Sequence, residues 1–313
     1  MSLHSPDQST VSRRQCLSWA AAVMLTPALL RADGPCPCAQ LDNSQPQGPP
    51  KPDEKPLKEL RVCADPNNLP FSNREHEGFE DKIAELIARD LGLPLNYDWL
   101  PQRLGFYRTA LKTFDSNLVM AAPGGFEKAL ITQPYYRSTF VFVQRKDAAT
   151  PIRSFDDAAL RTVKIGVQLT GGVNAPPTHA LAHRQIIDNI TGYPVFDETQ
   201  GAPAQKIIGA VASGEIDVAI VWGPQAGYFA KRQSVALTLT PVAPDHDKVG
   251  DAEIPYTFEI CMALRRPDKA LRDRINNVIA RRQAQIDQVL DEYSVPRLPI
   301  TPAASGTTFG GKR

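Results

Sequence analysis

Two segments of the chain contain residue types that bind metal ions. His179 and His183 are one helical turn apart, a spacing that places two imidazoles on the same side of a helix. No Glu follows the first histidine as it does in zinc proteases, and no third ligand is evident, so we interpret both as solvent-facing. The stretch Asp245-His246-Asp247 could attract a cation, but its position between Pro244 and Gly250 favours a polar turn. We therefore predict no metal site.

The sequence also lacks the motifs of common catalytic sites. It has no Gly-x-Ser-x-Gly elbow, no phosphate-binding loop and no Cys-x-x-Cys-His haem attachment. The segment from Gly166 to Gly172 does not have the glycine spacing of a dinucleotide-binding turn. We predict a protein that is not an enzyme, with no catalytic residue and no cofactor.

The amino terminus has the features of an export signal. Ser12-Arg13-Arg14-Gln15-Cys16-Leu17 precedes an apolar run that ends at Leu30, and Ala32 provides a small residue for cleavage. The run is shorter than the roughly 20 residues that a membrane helix needs, which argues against a retained anchor. We predict a twin-arginine signal peptide over residues 1–32 and a mature protein in the periplasm.

Charge and length limit the class of the mature protein. The chain has 35 basic and 34 acidic residues, so neither nucleic acid nor an anionic membrane is expected as a partner, and we predict no membrane insertion. Residues 33–56 contain seven prolines and almost no branched apolar residue, which predicts an extended linker. The remaining length exceeds what one compact core usually holds, so we expect two lobes.

Alternation of strands and helices predicts an α/β fold with parallel sheets. The predicted strands are 60–64, 95–100, 117–121, 138–145, 163–167, 217–221 and 256–264, and the predicted helices are 79–91, 106–112, 178–189, 204–213 and 269–293. The long strand 138–145 would carry the chain out of one lobe, and 256–264 would return it. We therefore predict a first lobe over 57–145 and 256–300, a second lobe over 146–255, and a flexible tail over 301–313.

This order of elements resembles the type II periplasmic solute-binding proteins, a two-lobed fold with two crossing hinge strands. Several segments are most similar to one branch, the MoxJ/XoxJ accessory proteins of methanol oxidation, which are quinoprotein dehydrogenase-associated and solute-binding-like. The segments that carry this resemblance are LRVCADPNNLPFS (60–72), GFE (78–80), PYYRST (134–139), PPTHALA (176–182) and GEIDVAIVWGPQAGYFAK (214–231). The similarity extends from about Leu57 to Pro299.

The chain departs from that pattern at three places. Ser116-Asn117 stands where the family commonly has Cys-Asp, so the family's bridge from Cys63 cannot form. Cys261, where relatives often carry Ser, is either an alternative partner of Cys63 in an oxidising compartment or a buried free thiol. Gln185 replaces the family's usual Gly. We expect these changes to affect local geometry and not the fold.

The resemblance implies that the usual amino-acid site is altered. Amino-acid carriers commonly bind the ligand carboxylate with an Arg, but the matching stretch from Pro123 to Lys128 has none. Trp222 stands near the position of the usual ammonium-binding Asp. The predicted cleft or partner-binding residues, taken from the strand ends and the matching segments, are Asp65, Asn67, Phe71, Pro123, Gly124, Tyr135, Tyr136, Arg137, Thr170, Gly171, Trp222, Gly223 and Tyr228.

Each of the more distinctive cleft residues also has a structural interpretation. Trp222 is equally consistent with a core aromatic that fills the seam between the lobes. Tyr135 and Tyr136 are more often hinge packing than ligand contacts, and Asp65 is more often the cap of the turn that contains Pro66 and Asn67.

Two functions follow from the resemblance. In the favoured one, the protein binds a quinoprotein methanol or alcohol dehydrogenase, which depends on pyrroloquinoline quinone, and assists its maturation or activation. An apolar cleft would then close on a peptide segment of the partner or on a small hydrophobic ligand. In the alternative, the protein is the receptor of an importer for a small organic solute or a metal chelate. A charged, fully paired ligand cage favours import, and a wide apolar groove favours a protein partner.

Overall fold

The computed structural model describes residues 57–114, 116–169, 175–195, 202–249 and 252–300. The predicted signal peptide, linker and tail lie outside these residues. The strands are β1 (Leu60–Ala64), β2 (Asn67–Asn68), β3 (Ser72–Asn73), β4 (Leu95–Trp99), β5 (Val119–Pro123), β6 (Leu130–Ile131), β7 (Tyr136–Arg145), β8 (Ile165–Leu169), β9 (Ile190–Pro194), β10 (Val218–Trp222), β11 (Leu237–Pro241), β12 (His246–Val249), β13 (Ala252–Pro255) and β14 (Thr257–Leu264). The helices are α1 (Phe79–Leu91), α2 (Phe106–Lys112), α3 (Pro176–His183), α4 (Pro203–Ser213), α5 (Gly223–Ala230) and α6 (Lys269–Glu292), with a short 3-10 helix at Ala158–Arg161.

One mixed sheet runs through the described part of the chain. Its path is β5-β14-β7-β10-β8-β9, with β11 on β7 and β6 on β14. The strands β10, β8 and β9 are parallel, whereas β7 pairs antiparallel with both β10 and β14. The parallel pairing predicted from the alternation of strands and helices is present in these three strands and between β1 and β4, whereas the two connecting strands β7 and β14 pair antiparallel with their neighbours.

The strands β7 and β14 each contact both sides of the molecule. In β14 the contact is made by Phe258, which packs against apolar clusters on both sides. The first residues of β7, Tyr136–Thr139, pair with Thr257–Ile260 of β14, and its later residues from Phe140 onward pair with β10. The same strand thus belongs to two packing regions.

The apolar side chains form separate cores on the two sides of this connection. The first core packs α1 and α6 against β1 and β14, with Ile83, Ile87 and Ile279 all buried. On the other side, Ile165 and Ile220 belong to one buried cluster and α4 covers a further cluster on the opposite face of the sheet. The lobe boundaries at 145 and 255 stay a prediction.

Three features differ locally from the predicted elements. The strand predicted at 117–121 is displaced to β5, because Asn117 instead places its side-chain oxygen on the Arg61 N–H. The helix predicted to reach Asn189 ends at His183, and Gln185 has a φ of 56° in the left-handed region. The segment predicted as a polar turn, Asp245-His246-Asp247, enters the hairpin formed by β12 and β13. Within the described ranges, no helix is both long and apolar enough to span a bilayer.

Candidate binding cleft

A cavity of about 230 Å³ lies where the ends of β1, β5 and β10 converge. Its lining residues form two groups, which we call the first wall and the second wall. The first wall consists of Cys63, Ala64, Asp65, Asn68, Phe71, Ser72, Glu80, Gln102, Phe106, Val119, Met120, Ala121, Tyr136 and Ile260, and the second of Phe140, Gln168, Ala175, Val195, Trp222 and Gln225. Most of these side chains are apolar, and the charged ones are acidic.

The loop after β1 is held together by Asp65. One carboxylate oxygen accepts a hydrogen bond from the Asn67 N–H at 2.8 Å, and the other accepts one from the Gln102 N–H at 2.6 Å. Its backbone carbonyl accepts a further bond from the Ser72 hydroxyl. The interpretation of Asp65 as a turn cap is therefore confirmed, and its carboxylate also fixes the position of Gln102 in the first wall.

The first turn of α1 brings Glu80 to the cavity. Gly78 can begin this helix because its N–H donates to Asp81 at 3.0 Å, while the same carboxylate oxygen accepts from the Asn73 N–H. A Cβ at Gly78 would overlap the carbonyl of Phe71, so only glycine lets the helix start against this loop. Gly92, with a φ of 67°, ends the helix as predicted.

Glu80 is buried without a matching charge. Its side chain lines the cavity, the residue is only 7% exposed, and its Oε1 atom has no hydrogen-bond partner. Burial, with a smaller contribution from Asp81, raises the pKa of Glu80 to about 8. Burial likewise raises the pKa of Asp81, to about 6, although its two backbone hydrogen bonds oppose the shift. Glu80 is thus largely protonated at neutral pH in the ligand-free protein.

The polar groups of the second wall bond to one another. The side-chain amide of Gln168 donates from its nitrogen to Gln225 Oε1 at 2.7 Å, and its oxygen accepts a hydrogen bond from the backbone N–H of Trp222 at 2.9 Å. Both glutamines are buried. This chain of bonds ties β8 to the start of α5 and fixes the end of β10, so the second wall presents paired amides and an indole ring to the cavity.

Trp222 has both of the roles considered for it. Its ring makes edge-on contacts with Phe140 at 5.3 Å and with Phe258 at 5.8 Å between centroids, and it packs against the cores on both sides. The residue is nevertheless only half-buried and lines the cavity. It fills the seam and forms part of the cleft surface at once.

Comparison with known proteins decides the family. The crystal structure of the periplasmic binding protein XoxJ from Methylobacterium extorquens AM1 is 34% identical, aligns over 77% of this chain and 100% of its own, and superposes with a TM-score of 0.62. The chain belongs to the MoxJ/XoxJ family of periplasmic binding proteins. No family model matches the chain.

Of two further comparisons, the first agrees with membership in the MoxJ/XoxJ family and the second with the fold, and the predicted type II periplasmic-binding-protein fold is confirmed. Protein MoxJ from Methylorubrum extorquens is 27% identical over 293 residues, which cover 90% of this chain and 96% of the relative. The structure of MxaJ from Methlophaga aminisulfidivorans MPT, 24% identical over 76% of this chain and 100% of its own, has the same fold with a TM-score of 0.66. The family consists of periplasmic binding proteins, so the protein is a periplasmic one.

Four of the thirteen predicted cleft residues line the cavity of this MoxJ/XoxJ-type protein, namely Asp65, Phe71, Tyr136 and Trp222. Asn67, Pro123, Gly124, Tyr135, Arg137, Gly223 and Tyr228 lie outside its lining, and Thr170 and Gly171 lie outside the described residues. Whether any of these residues binds a ligand or a partner stays a prediction.

The residues outside the lining have structural contacts of their own. Tyr135 is fully buried and donates from its hydroxyl to the Met120 carbonyl at 3.1 Å, which is packing in the first core. Tyr228 stacks on Tyr293 at 5.6 Å. Arg137 forms an ion pair with Asp245 at 3.7 Å.

The remaining members lie at strand and helix ends. The Gly124 N–H donates to the Glu259 carbonyl at 2.7 Å, which holds the end of β5 against β14. Gly223 starts α5 so close to β7 that a Cβ would meet the Thr139 carbonyl and the Ser138 hydroxyl. Close approach of backbone, and not contact with a ligand, explains glycine at 223.

Of the two alternatives left open for Cys261, the structure has the buried free thiol and not the bridge to Cys63. Both are buried free thiols, and burial raises the pKa of each to about 12. The strand β5 lies between them, since the Cys63 N–H bonds to the Leu118 carbonyl and Cys261 lies opposite Ala122. Two strand spacings amount to roughly 10 Å, beyond the reach of a disulfide.

The histidine-containing segments show no metal-binding arrangement. No group of three or more His, Cys, Asp or Glu residues in the described ranges could hold an ion. Asp247 forms an ion pair with Arg184 and accepts a hydrogen bond from the Tyr256 hydroxyl, and His246 lies 2.8 Å from Asp245. These contacts join the hairpin of β12 and β13 to the end of α3.

The sequence interpretation missed the polar residues that distinguish the two walls. Glu80, Gln102, Gln168 and Gln225 line the cavity but were not among the predicted site residues. Glu80 could have been found as the third residue of the Gly-Phe-Glu segment that carries the family resemblance. The glutamines have no comparable signal in the sequence.

Proposed function

We propose that this protein is a periplasmic accessory factor that binds a quinoprotein methanol or alcohol dehydrogenase and assists its maturation or activation. The observation that carries the proposal is the cavity, which has mostly apolar walls and, among the described residues, no Arg, Lys or His in its lining. A carrier of amino acids needs a guanidinium for the ligand carboxylate, and these walls have none. Membership in the MoxJ/XoxJ family supports the connection with methanol oxidation.

The occupant of the cleft would be a segment of the dehydrogenase. Apolar and aromatic surface with a few polar groups at one end suits an extended peptide that anchors by a side chain. Because β7 and β14 each contribute to both sides of the molecule, small rotations of their backbone would open and close the cleft. The protein would then hold the segment while the dehydrogenase completes its active form.

The importer interpretation makes a different demand on the same cavity. Its volume of about 230 Å³ could enclose a small solute. A solute of that size would need its polar groups paired inside the cleft, and the second wall's glutamines already bond to each other. The cavity chemistry therefore favours the protein partner.

Affinity capture from the periplasm of alcohol-grown cells tests the proposal, with the mature protein as bait. We expect a quinoprotein dehydrogenase to remain bound at moderate salt and to be lost with the Trp222→Asp variant. Ile187→Asp is the control, because Ile187 is exposed and lies outside the cavity lining. Recovery of a small molecule that is released on unfolding, without any dehydrogenase, would favour the importer receptor instead.

A further inference from the structure

Glu80 is the polar group of the cavity that the contacts within the protein leave unexplained. Of the buried side-chain atoms in the described ranges, Glu80 Oε1, Asp81 Oδ1 and the Tyr97 hydroxyl have no hydrogen-bond partner. Asp81 and Tyr97 lie close to each other, and neither lines the cavity. Glu80 is more than nine-tenths buried and lines the cavity. Its Oε1 atom is itself buried, but a turn of the carboxyl group about its last side-chain bond would let an occupant supply the missing partner.

The surroundings of Glu80 select a positively charged occupant. Among the described residues of the lining, the charged side chains are the carboxylates of Asp65 and Glu80, and no basic residue is present. Five aromatic rings line the same space, those of Phe71, Phe106, Tyr136, Phe140 and Trp222. Aromatic faces attract ammonium and guanidinium groups and repel anions. The acidic side chains and the aromatic rings therefore both favour an occupant that has a cationic group on an apolar stem.

The size of the cavity limits how much of a molecule can enter. Its volume of about 230 Å³ is larger than the roughly 150 Å³ of an apolar cavity that accepts benzene, and smaller than the roughly 300 Å³ at which pockets for drug-sized molecules begin. One long side chain fits this space, whereas a folded element does not.

We propose that the cavity receives a Lys or Arg side chain from the partner segment, with the aliphatic stem against the aromatic rings and the cationic group on the Glu80 carboxylate. This inference rests on the proposed function, since it names the chemistry of the segment that the cleft would hold. The same cationic chemistry could come from a free alkylamine, which the experiment below separates from a peptide.

Binding of the cation would be coupled to release of a proton. In the empty cavity Glu80 holds a proton at pH 7, because burial raises its pKa. A cation on the carboxylate favours the ionised form, so the O–H bond breaks, the electron pair stays on the carboxylate and the proton passes to solvent. The other titratable groups that face this region are Asp81 on the same helix, Asp65 and Cys63 at the end of β1, Tyr97 on β4, Tyr107 on α2, and Tyr135 and Tyr136 at the start of β7.

Calorimetric titration with short peptides tests the proposal. The probes are acetyl-Ala-Lys-Ala-amide, its arginine and norleucine counterparts, and n-pentylamine, each in two buffers that differ in ionisation enthalpy at pH 7. We expect a basic peptide to bind at least tenfold more tightly than the norleucine peptide, with release of close to one proton. Glu80→Gln should abolish both the preference and the proton release. Glu75→Gln, which removes an exposed carboxylate of the same type outside the cavity, should leave both unchanged.

Three results would overturn the inference. Equal Kd values for the norleucine and basic peptides would show that the cavity does not select a cation. Tighter binding of n-pentylamine than of either basic peptide would identify a free amine as the ligand. Retention of the preference in Glu80→Gln would assign it to another group. If the capture experiment recovers a dehydrogenase despite any of these results, the proposed function is kept and only the inference about a cationic side chain is rejected.

Discussion

The two walls of the cavity differ in how their polar groups are satisfied. In the second wall, Gln168, Gln225 and the Trp222 N–H form a closed set of hydrogen bonds. In the first wall, Asp65 is equally well bonded, but Glu80 has an oxygen with no partner and a pKa raised to about 8. The hydrogen bonds of Gln168, Gln225 and Trp222 in the second wall are all made within the protein, whereas in the first wall one oxygen of Glu80 lacks a partner.

This difference indicates where binding specificity resides. A bonded amide pair stabilises the wall and offers little to a ligand, since each of its bonds would have to be exchanged. An unpaired buried carboxyl lowers stability in the empty state and gains a partner on binding. The cost is tolerable only where surrounding structure holds the group in position, as α1 and its capping carboxylate Asp81 do for Glu80.

The largest expected effect concerns the pH dependence of stability. The folded pKa of Glu80 is about 8 against an ordinary value of 4.5. Its contribution to stability is therefore fully present below about pH 4.5 and is lost as the pH rises through 8. Relative to Glu80→Gln, the wild type should lose on the order of 3 to 5 kcal/mol between pH 5 and pH 9, since one pKa unit corresponds to about 1.4 kcal/mol.

Urea unfolding of both proteins at several pH values measures this loss. Asp81 is present in both proteins, so it enters the difference only through its charge interaction with Glu80. Glu75→Gln should follow the wild-type curve. Parallel curves for wild type and Glu80→Gln would mean that the first wall is as well satisfied as the second.

The next largest loss of stability is expected at two glycines whose close contact with a neighbouring backbone positions the walls. Gly78 precedes the helix that carries Glu80, and Gly227 lies in the helix that carries Gln225. A Cβ at either would overlap a backbone carbonyl, of Phe71 or of Ser294 respectively. Gly78→Ala and Gly227→Ala should each cost about 3 kcal/mol in chemical denaturation, since a backbone overlap cannot be relieved by a rotamer change.

Gly209 provides the matched control for these two variants. It lies inside α4, and no heavy atom is within 4 Å of the place that an added Cβ would occupy. Gly209→Ala should therefore stabilise the protein by about 0.5 to 1 kcal/mol. A similar gain for Gly78→Ala would show that the first wall does not depend on this close approach.

A smaller effect tests the closure of the second wall. Gln168→Leu removes the acceptor of the Trp222 N–H and the donor to Gln225, so it should cost about 2 to 3 kcal/mol. Gln225→Leu leaves the bond to Trp222 in place and should cost about 1 to 2 kcal/mol. Thermal or chemical unfolding of the single and double variants gives the coupling between them. Additive losses of stability from the two substitutions would show that the two glutamines do not interact.

The smallest expected effect lies away from both walls. Gln185 has a φ of 56°, where residues other than glycine are strained. Gln185→Gly should stabilise the protein by about 0.5 kcal/mol, because relief of strain is partly offset by the greater freedom of glycine in the unfolded chain. Thermal unfolding measures this change. A loss of stability would show that the Gln185 side chain has a structural role.

Helices with a clear apolar period were predictable from the sequence. The bounds of α1 and α2 agree with the predictions, and α6 ends one residue before the predicted end. The apolar residues at helical spacing on α6, from Leu271 to Leu290, are buried. The end of α3 was not predictable, since Gln185 adopts a conformation that its residue type does not favour. Propensity describes the average residue, and tertiary packing overrides it at single positions.

The site was only partly predictable for a related reason. Trp222 and Asp65 follow strands, and the ends of strands in such sheets are known to meet at a cleft. Glu80 lies in the first turn of a helix, where an acidic residue is ordinarily explained by the helix dipole, so its type alone raises no question. Its burial beside the cavity becomes apparent only when the strands around it are in place.

The sequence by itself determined most of the longer strands and helices and the family, because apolar periodicity and contiguous motifs are local properties of a chain. Tertiary structure alone decided that β5 separates Cys63 from Cys261, that Gln168 bonds to Gln225, and that Glu80 faces a cavity without a partner. Each of these depends on residues far apart in sequence. Burial and hydrogen-bond pairing depend on the residues that surround a side chain in the folded protein, so the residue type alone does not reveal them.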